Sequence, residues 1–230
     1  MKENNYYGKK TAFHIHTYYS FDSVLKPKEV VDYYASAGFK IAVITDHNEI
    51  LGAVEASEYA AGKYGPDFTV VTGEEIKTEI GDIIGFPLTE KIGSCSFYSA
   101  VCKIRRQGGL ICLPHPYSEH DLLKIHTDEI LGHLDFVEIF NCRLLDPRLN
   151  YFAKRYAEAY NKKEIIGIDA HIKNELGNGW FSWDDDYKIK ESGTRLSTKR
   201  NIRLSSIIKA FKNKKYLRIV PLSLLWGAGK

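Results

Sequence analysis

Several histidines and carboxylates in this chain stand where residues of those types could capture metal ions. His14 and His16 lie in Phe13-His14-Ile15-His16-Thr17, with Asp22 six residues beyond His16. An apolar-flanked His-x-His in an extended strand puts both imidazoles on one face, because strand side chains repeat with a period of two. Two neutral imidazoles directed at one point make half a metal site. The other half is spread along the chain as Asp46-His47, Glu74-Glu75, His115 and Asp169-x-His171, each just after a short apolar run.

Any one of these histidines alone reads as an ordinary strand residue. The joint pattern is what carries weight: five of the eight histidines fall at expected strand ends, and four of those five have an Asp or another His within two residues. His120, His126 and His133 read as surface or packing residues. Imidazole nitrogen with carboxylate oxygen suits zinc, manganese or iron, and the lack of a thiolate cluster argues against a structural Cys-rich zinc site. Up to nine ligand-type groups exceed what one ion can use. Two or three ions bridged by a carboxylate are therefore expected, with Glu75 or Asp169 the natural bridge. Ions about 3.5–4 Å apart clamp the oxygens of an in-line displacement and lower the pKa of a bound water toward about 7. Phosphate-ester hydrolysis is the reaction such a site fits best.

The elements that must position these groups are legible as alternating strands and helices. Thr11 to Ile15 reads as the strand that delivers the His pair. Pro27 opens a helix with Val30, Val31, Tyr34 and Ala35 as its apolar stripe, and Gly38 stops it. Lys40 to Thr45 reads as a buried strand ending in Asp46-His47-Asn48. A helix follows from Gly52 to Tyr64, then a strand from Phe68 to Thr72 ending at Gly73-Glu74-Glu75. Asp82 to Leu88 is a short additional strand, and a helix runs from Ser94 to Gln107 before Gly108-Gly109. Leu110 to Leu113 is a strand cut off by Pro114-His115-Pro116. Asp135 to Phe140 enters Asn141-Cys142-Arg143, Pro147 opens a further helix, and Glu164 to Ile168 delivers Asp169 and His171. Trp180 to Trp183 is expected to pack on the core, Asp184-Asp185-Asp186 to be a solvated loop, and Arg203 to Phe211 to be helical.

This order implies a parallel sheet with crossover helices, and six or seven such units favour a closed or nearly closed α/β barrel. No Gly-rich phosphate loop follows the first strand, which argues against a doubly wound dinucleotide fold. In such barrels function sits where strands end, so the candidate ligands should converge on one rim.

With 230 residues, 44% of them hydrophobic, the chain can bury a sizeable core, and one domain over 1–230 is the expectation. Lys+Arg of 32 against Asp+Glu of 29 gives +3, too little for nucleic-acid binding by bulk charge. The N-terminus has no apolar targeting core and no run approaches the roughly 20 apolar residues that span a bilayer, so a soluble, cytoplasmic protein is expected. Cys95, Cys102, Cys112 and Cys142 form no CxxC pair and read as reduced thiols.

Five ordered pieces resemble the PHP (polymerase and histidinol phosphatase) domain family of metal-dependent phosphoesterases. They are His14-x-His16-Thr17 with Ser20 and Asp22; Thr45-Asp46-His47-Asn48; Gly73-x-Glu75; Pro114-His115-Pro116; and Asp169-x-His171. The resemblance implies a distorted seven-stranded (β/α) barrel with a two- or three-metal site at the C-terminal rim, the segment 178–230 packing on the barrel. It implies that His14, His16, Glu75 and Asp169 hold one ion, that Glu75 bridges to a second bound by His115, and that Asp22, His47 and His171 hold a third. Glu138, Asn141 and Cys142 all stand where the second ion's further ligand is needed, and Asn141 is counted with the candidate ligands.

Spacing from Gly73 selects Glu75 over Glu74, and Asp46 is expected to orient His47 or brace the strand end. Arg143 is the candidate to grip a phosphate, since guanidinium offers a bidentate fork. Ser20 and Tyr117 are further rim candidates for substrate binding. The expected mechanism is in-line attack on phosphorus by metal-activated hydroxide, with Arg143 stabilising the equatorial oxygens and His171 or Asp169 assisting proton transfer. The expected partner is a small phosphorylated substrate, including a nucleotide or short oligonucleotide, with no membrane and no stable nucleic-acid complex. Only 39 residues separate Glu75 from His115, which leaves little room for a cap domain and implies an open site. The competing readings are histidinol-phosphate phosphatase and a non-catalytic PHP module in a larger complex. An amidohydrolase-type barrel is disfavoured by Pro-His-Pro and by the absence of a plausible carboxylated lysine.

Overall fold

The computed structural model describes residues 8–118, 128–183 and 188–194. His120, His126, the Asp184–Asp186 loop and the helix expected over Arg203 to Phe211 lie outside them.

Three strands, β1 (Thr11–Ile15), β2 (Ile41–Ile44) and β3 (Thr69–Thr72), run parallel. β1 and β2 are buried along their whole length, because helices α1 (Pro27–Ser36) and α2 (Leu51–Tyr64) cover one face and the interior covers the other. Pro27 opens α1, whose Val30, Val31 and Tyr34 are buried, and the chain turns away at Gly38 with φ 76°. The other elements are β4 (Glu74–Thr78), β5 (Gly81–Phe86), α3 (Phe97–Arg106), β6 (Leu110–Leu113), α4 (Asp128–His133), β7 (Phe136–Asn141), α5 (Pro147–Ala159), β8 (Lys163–Gly167), β9 (Gly179–Trp183) and β10 (Ile189–Thr194). One sheet has the order β10-β9-β1-β2-β3 and the other β4-β5-β6-β7-β8.

Three features depart from the sequence reading. Trp180 to Trp183 forms a strand paired antiparallel to β1, so it extends the sheet as well as packing on it. The β4-β5-β6 ladder is antiparallel, whereas β6-β7-β8 is parallel as expected. Glu74 and Glu75 open the hairpin strand β4 instead of closing β3, because the chain changes sheets at Gly73. A Cβ there would meet Thr45 Cγ2 at 3.0 Å and the carbonyl oxygens of Ile44 and Gly85 at 3.2 Å. Glycine lets the backbone pass between the layers at that distance.

Among the described residues, then, the mixed α/β fold holds two five-stranded sheets and not one continuous closed ladder. Backbone contacts tie their edges at two seams. At one, Ile15 bridges Ala170, the Asp169 amide donates to the His14 carbonyl at 2.7 Å, and the His16 amide donates to Ala170 at 2.9 Å. At the other, His47 bridges Glu75 and the Asn48 amide donates to the Glu75 carbonyl at 2.8 Å. The inner faces share an apolar cluster that includes Phe13, Val43, Ile84, Phe86, Phe136 and Phe181. No helix among the described residues is long and apolar enough to cross a membrane.

Phe13 and Phe86 meet edge to face at 5.1 Å across the two sheets, and Phe13 is fully buried. Phe13→Ala should lower unfolding stability by about 3–5 kcal/mol through lost burial and the cavity left behind. Urea denaturation checks this; a loss under about 1 kcal/mol would show that the sheets do not depend on this contact.

Candidate metal centre

His14 does not sit in a regular strand. The β1–β2 register jumps between Phe13 and Ile15, and His14 occupies the irregularity with φ 66°. His115 (φ 22°) and Asp169 (φ 55°) also lie in the left-handed region. Conformations of this kind cost non-glycine residues on the order of 1–3 kcal/mol each and persist where surrounding structure holds them. The imidazole pair is therefore aimed by a bulge, with ring centroids 5.1 Å apart, and not by strand alternation alone.

The rims of both seams meet in one cluster. Glu75, buried in β4, lies at its centre: Oε2 is 3.2 Å from His14 Nε2, 3.1 Å from His16 Nε2 and 3.3 Å from His47 Nδ1, while Oε1 is 3.1 Å from His115 Nε2. Asp169 Oδ1 lies 3.4 Å from His16 Nε2 and 3.7 Å from His14 Nε2. Asp22 Oδ2 lies 3.0 Å from His171 Nε2 and 3.5 Å from His47 Nε2. Three sets of side chains bring their donor atoms within 4.8 Å of one another: His14, His16 and Glu75; His14, His115 and Asp169; and His16, Asp22, His47 and His171.

The donor chemistry fits cations. Ser20 Oγ donates to Asp46 Oδ1 at 2.8 Å, so toward His16 Nδ1 at 3.1 Å it acts as acceptor and the ring proton resides on Nδ1. His16 Nε2 is then a bare lone pair, buried, close to Glu75 and Asp169, and without a hydrogen-bond partner. In the same way His171 Nδ1 donates to the Asp169 carbonyl at 2.9 Å, which turns Nε2 toward the Asp22 carboxylate, with Arg143 Nη1 at 3.3 Å from that nitrogen. Lone pair facing carboxylate is repulsive unless a proton or a metal ion lies between them. At His16, without metal, a proton fills that place. Burial works to lower His16, but the Asp169 and Glu75 carboxylates outweigh it and raise its pKa from 6.5 to about 9. Burial likewise opposes ionisation of Glu75, Asp169 and Asp22. Neighbouring histidines, His14 first for Glu75 and Asp169 and His171 first for Asp22, hold these carboxyls below the usual range.

The PHP domain family model matches residues 12–219. This chain belongs to the PHP domain family. It is 31% identical over 237 residues to an uncharacterised Methanocaldococcus jannaschii protein, MJ0417, covering 96% of this chain and 90% of that one. Its fold resembles a two-domain Bacteroides vulgatus protein described as containing a predicted PHP-like metal-dependent phosphoesterase, with TM-score 0.64 and 18% identity. That match covers 78% of this chain and 60% of the larger one. A Bifidobacterium adolescentis structure, described as a candidate metal-dependent phosphoesterase, matches with TM-score 0.56 and 16% identity over 93% of this chain and 97% of that one.

In this PHP domain the remaining sequence candidates occupy distinct places. Asp46 does not touch the His47 ring; it accepts from the Thr17 amide, Thr17 Oγ1 and Ser20 Oγ at 2.5, 2.7 and 2.8 Å, and through Ser20 it steadies His16 and the His47 amide. Ser20 is buried and its oxygen is engaged by Asp46, His16 and the His47 amide, so it braces the PHP centre. Tyr117 is absent from the rim: it is packed against Phe152 and Tyr156 in the apolar core. Glu74 accepts from the Ile92 and Gly93 amides at 2.7 Å, well occupied away from the cluster. Asn141 directs its amide nitrogen at Glu138 (2.9 Å) and Asp169 (3.2 Å) and its oxygen at the Arg143 amide, so its side chain is engaged in hydrogen bonds beside the cluster. Cys142 Sγ, buried, points to the Asn178 carbonyl. Arg143 does reach the rim, 43% exposed with Nη1 3.3 Å from His171 Nε2.

Two contributors, Gly52 and Glu175, escaped the sequence reading, and a third, Thr17, was read as part of the first motif without its role. Thr17 shares the Asp46 carboxylate, and Gly52 leaves room for that pair, since a Cβ would lie 2.1 Å from Asp46 Oδ2 and 2.2 Å from Thr17 Oγ1. Glu175 accepts from the His171 amide at 2.8 Å. Nothing in the spacing of Gly52 or Glu175 marks them.

Because His16 binds its proton more tightly in the folded chain than in the unfolded one, its contribution to stability is complete below about pH 6.5. That contribution is lost as the pH rises to about 9. The melting temperature of chelator-stripped protein should accordingly fall across that window, and saturating Mn²⁺ or Zn²⁺ should remove the fall. A metal-free melting temperature that is flat or rising from pH 6.5 to 9 would contradict the charge arrangement described.

Proposed function

We propose that this chain is a metal-dependent phosphoesterase that hydrolyses a small phosphomonoester or a nucleotide or oligonucleotide phosphate ester. The observation that carries this reading is the bare, buried His16 Nε2 set against the Glu75 and Asp169 carboxylates, with His171 Nε2 3.0 Å from Asp22 Oδ2 and beside a half-exposed arginine. Two or three divalent ions, zinc, manganese or iron, would be held by His14, His16, Asp22, His47, Glu75, His115, Asp169 and His171. Once bound they supply Lewis-acid polarisation and a water of lowered pKa.

The chain's own residues do the rest. Arg143, beside His171, receives a non-bridging phosphate oxygen and holds the ester in line. Glu75 and Asp169 keep negative charge buried at the centre. Ser20, Asp46 and Asn141 restrain ring and carboxylate orientation so that little reorganisation accompanies reaction. His171 and Asp169 are occupied by the centre itself, which leaves them at most an assisting part in proton transfer. The same reading takes the two sheets as halves of a distorted (β/α)7 barrel and residues 1–230 as one domain, supported by the backbone ties at both seams.

Protein purified without chelator and supplied with Mn²⁺ should release phosphate from at least one member of a panel of mononucleotides, histidinol phosphate, short oligonucleotides and cyclic esters. His16→Ala and Asp169→Ala should abolish release, and Arg143→Ala should lower kcat/KM by about 100-fold. Full metal loading without turnover of any ester would favour a non-catalytic metal-binding module.

A further inference from the structure

We propose that Glu138 is a positioning residue that decides which nitrogen of His14 faces the cluster, and that the same carboxylate fixes the His115 arm to it. This inference rests on reading the centre as a metal site. Glu138 is fully buried in β7, at an irregularity in that strand's register. Its Oε1 lies 2.8 Å from His14 Nδ1, and its Oε2 accepts from the His115 amide at 2.7 Å and from Asn141 Nδ2 at 2.9 Å. A carboxylate that accepts here keeps a His14 proton on Nδ1, so Nε2, 3.2 Å from Glu75 and 3.7 Å from Asp169, is the nitrogen left to ligate an ion. With both oxygens engaged in this way, Glu138 is a support and not a ligand.

The neighbouring strand is cut to fit this carboxylate. A Cβ on Gly167 of β8 would lie 1.4 Å from Glu138 Oε1 and 2.3 Å from its Cδ. No side chain can stand at residue 167 while Glu138 keeps its place. The consequence is selective. His14 belongs to the sets His14/His16/Glu75 and His14/His115/Asp169, whereas His16/Asp22/His47/His171 does not contain it. That last set is held by Ser20 and the Asp169 carbonyl. Misdirecting His14 should empty the first two and spare the third.

Glu138→Gln provides a near-isosteric test. The amide has one accepting oxygen and one donating nitrogen. Turning the oxygen toward the His115 amide and Asn141 satisfies two donors, and the nitrogen then donates to His14 Nδ1. The ring proton moves to Nε2, which can no longer ligate. Gly167→Ala asks the same question differently, displacing the carboxylate with its charge intact.

The experiment compares wild type, E138Q and G167A after equilibrium dialysis against Mn²⁺, counting bound metal per chain. In parallel, proton–nitrogen correlation spectra of the Zn²⁺-loaded proteins, labelled with ¹⁵N-histidine, identify the protonated nitrogen of His14. Both variants should bind at least one ion fewer per chain, or bind it about 10–100-fold more weakly, while retaining one ion. In E138Q the His14 proton should appear on Nε2. Wild-type stoichiometry and affinity in E138Q, with the proton still on Nδ1, would overturn the inference. So would an Nε2 proton on His14 in wild type, a measurement that holds even if neither variant folds. A wild-type chain that takes up no metal would instead overturn the metal reading itself, and this inference with it.

Discussion

Everything at the rim of this fold follows from one electrostatic constraint: imidazole lone pairs and carboxylate oxygens are held against each other out of water. Each group alone would be costly to bury, and the pairs repel unless positive charge is placed among them. Glu75 concentrates the problem, with four histidines at 3.1–3.3 Å from its two oxygens. In a chain with no metal, protons supply the compensating charge, which is why His16 holds its proton to about pH 9. Divalent ions would supply it with fixed geometry.

The fold is arranged to keep that arrangement rigid. Backbone ties between the two sheets fall at His14–Ala170 and Asp46–Glu75, among the residues that bear the ligands. Left-handed backbone at His14, His115 and Asp169 lies at the same place. A second layer of buried acceptors restrains the rings: Asp46 through Ser20 for His16, Glu138 for His14, Glu175 for the His171 backbone. Gly52, Gly73 and Gly167 matter for what they lack, since a methyl at each would strike one of these acceptors or the strand crossing beside them.

The ligand-type residues were legible in the sequence because their pattern is local: His-x-His, Asp-His, Pro-His-Pro and Asp-x-His each follow an apolar run. Helix and strand positions were legible for the same reason, from apolar stripes and glycine or proline punctuation. What escaped was long-range. One of the two passages between the sheets turns on the glycine at 73, and the antiparallel β4-β5 hairpin reads no differently from a strand and its continuation. Ser20 and Tyr117 looked like rim residues by their proximity to motifs. One proved to be wholly engaged by Asp46, His16 and His47, and the other to be buried beside Phe152 and Tyr156. Glu138 carried a visible signal, a charge inside the apolar strand Phe136–Asn141, but its partner His14 is 124 residues away.

The most direct measurement of the central claim is an anomalous difference map at the manganese edge from crystals of the full chain soaked in Mn²⁺. The account predicts discrete peaks enclosed by His14, His16 and Glu75, and by His16, Asp22, His47 and His171, with the histidine nitrogens unmoved. A map without peaks at those positions, with the imidazoles turned away from the carboxylates, would contradict it.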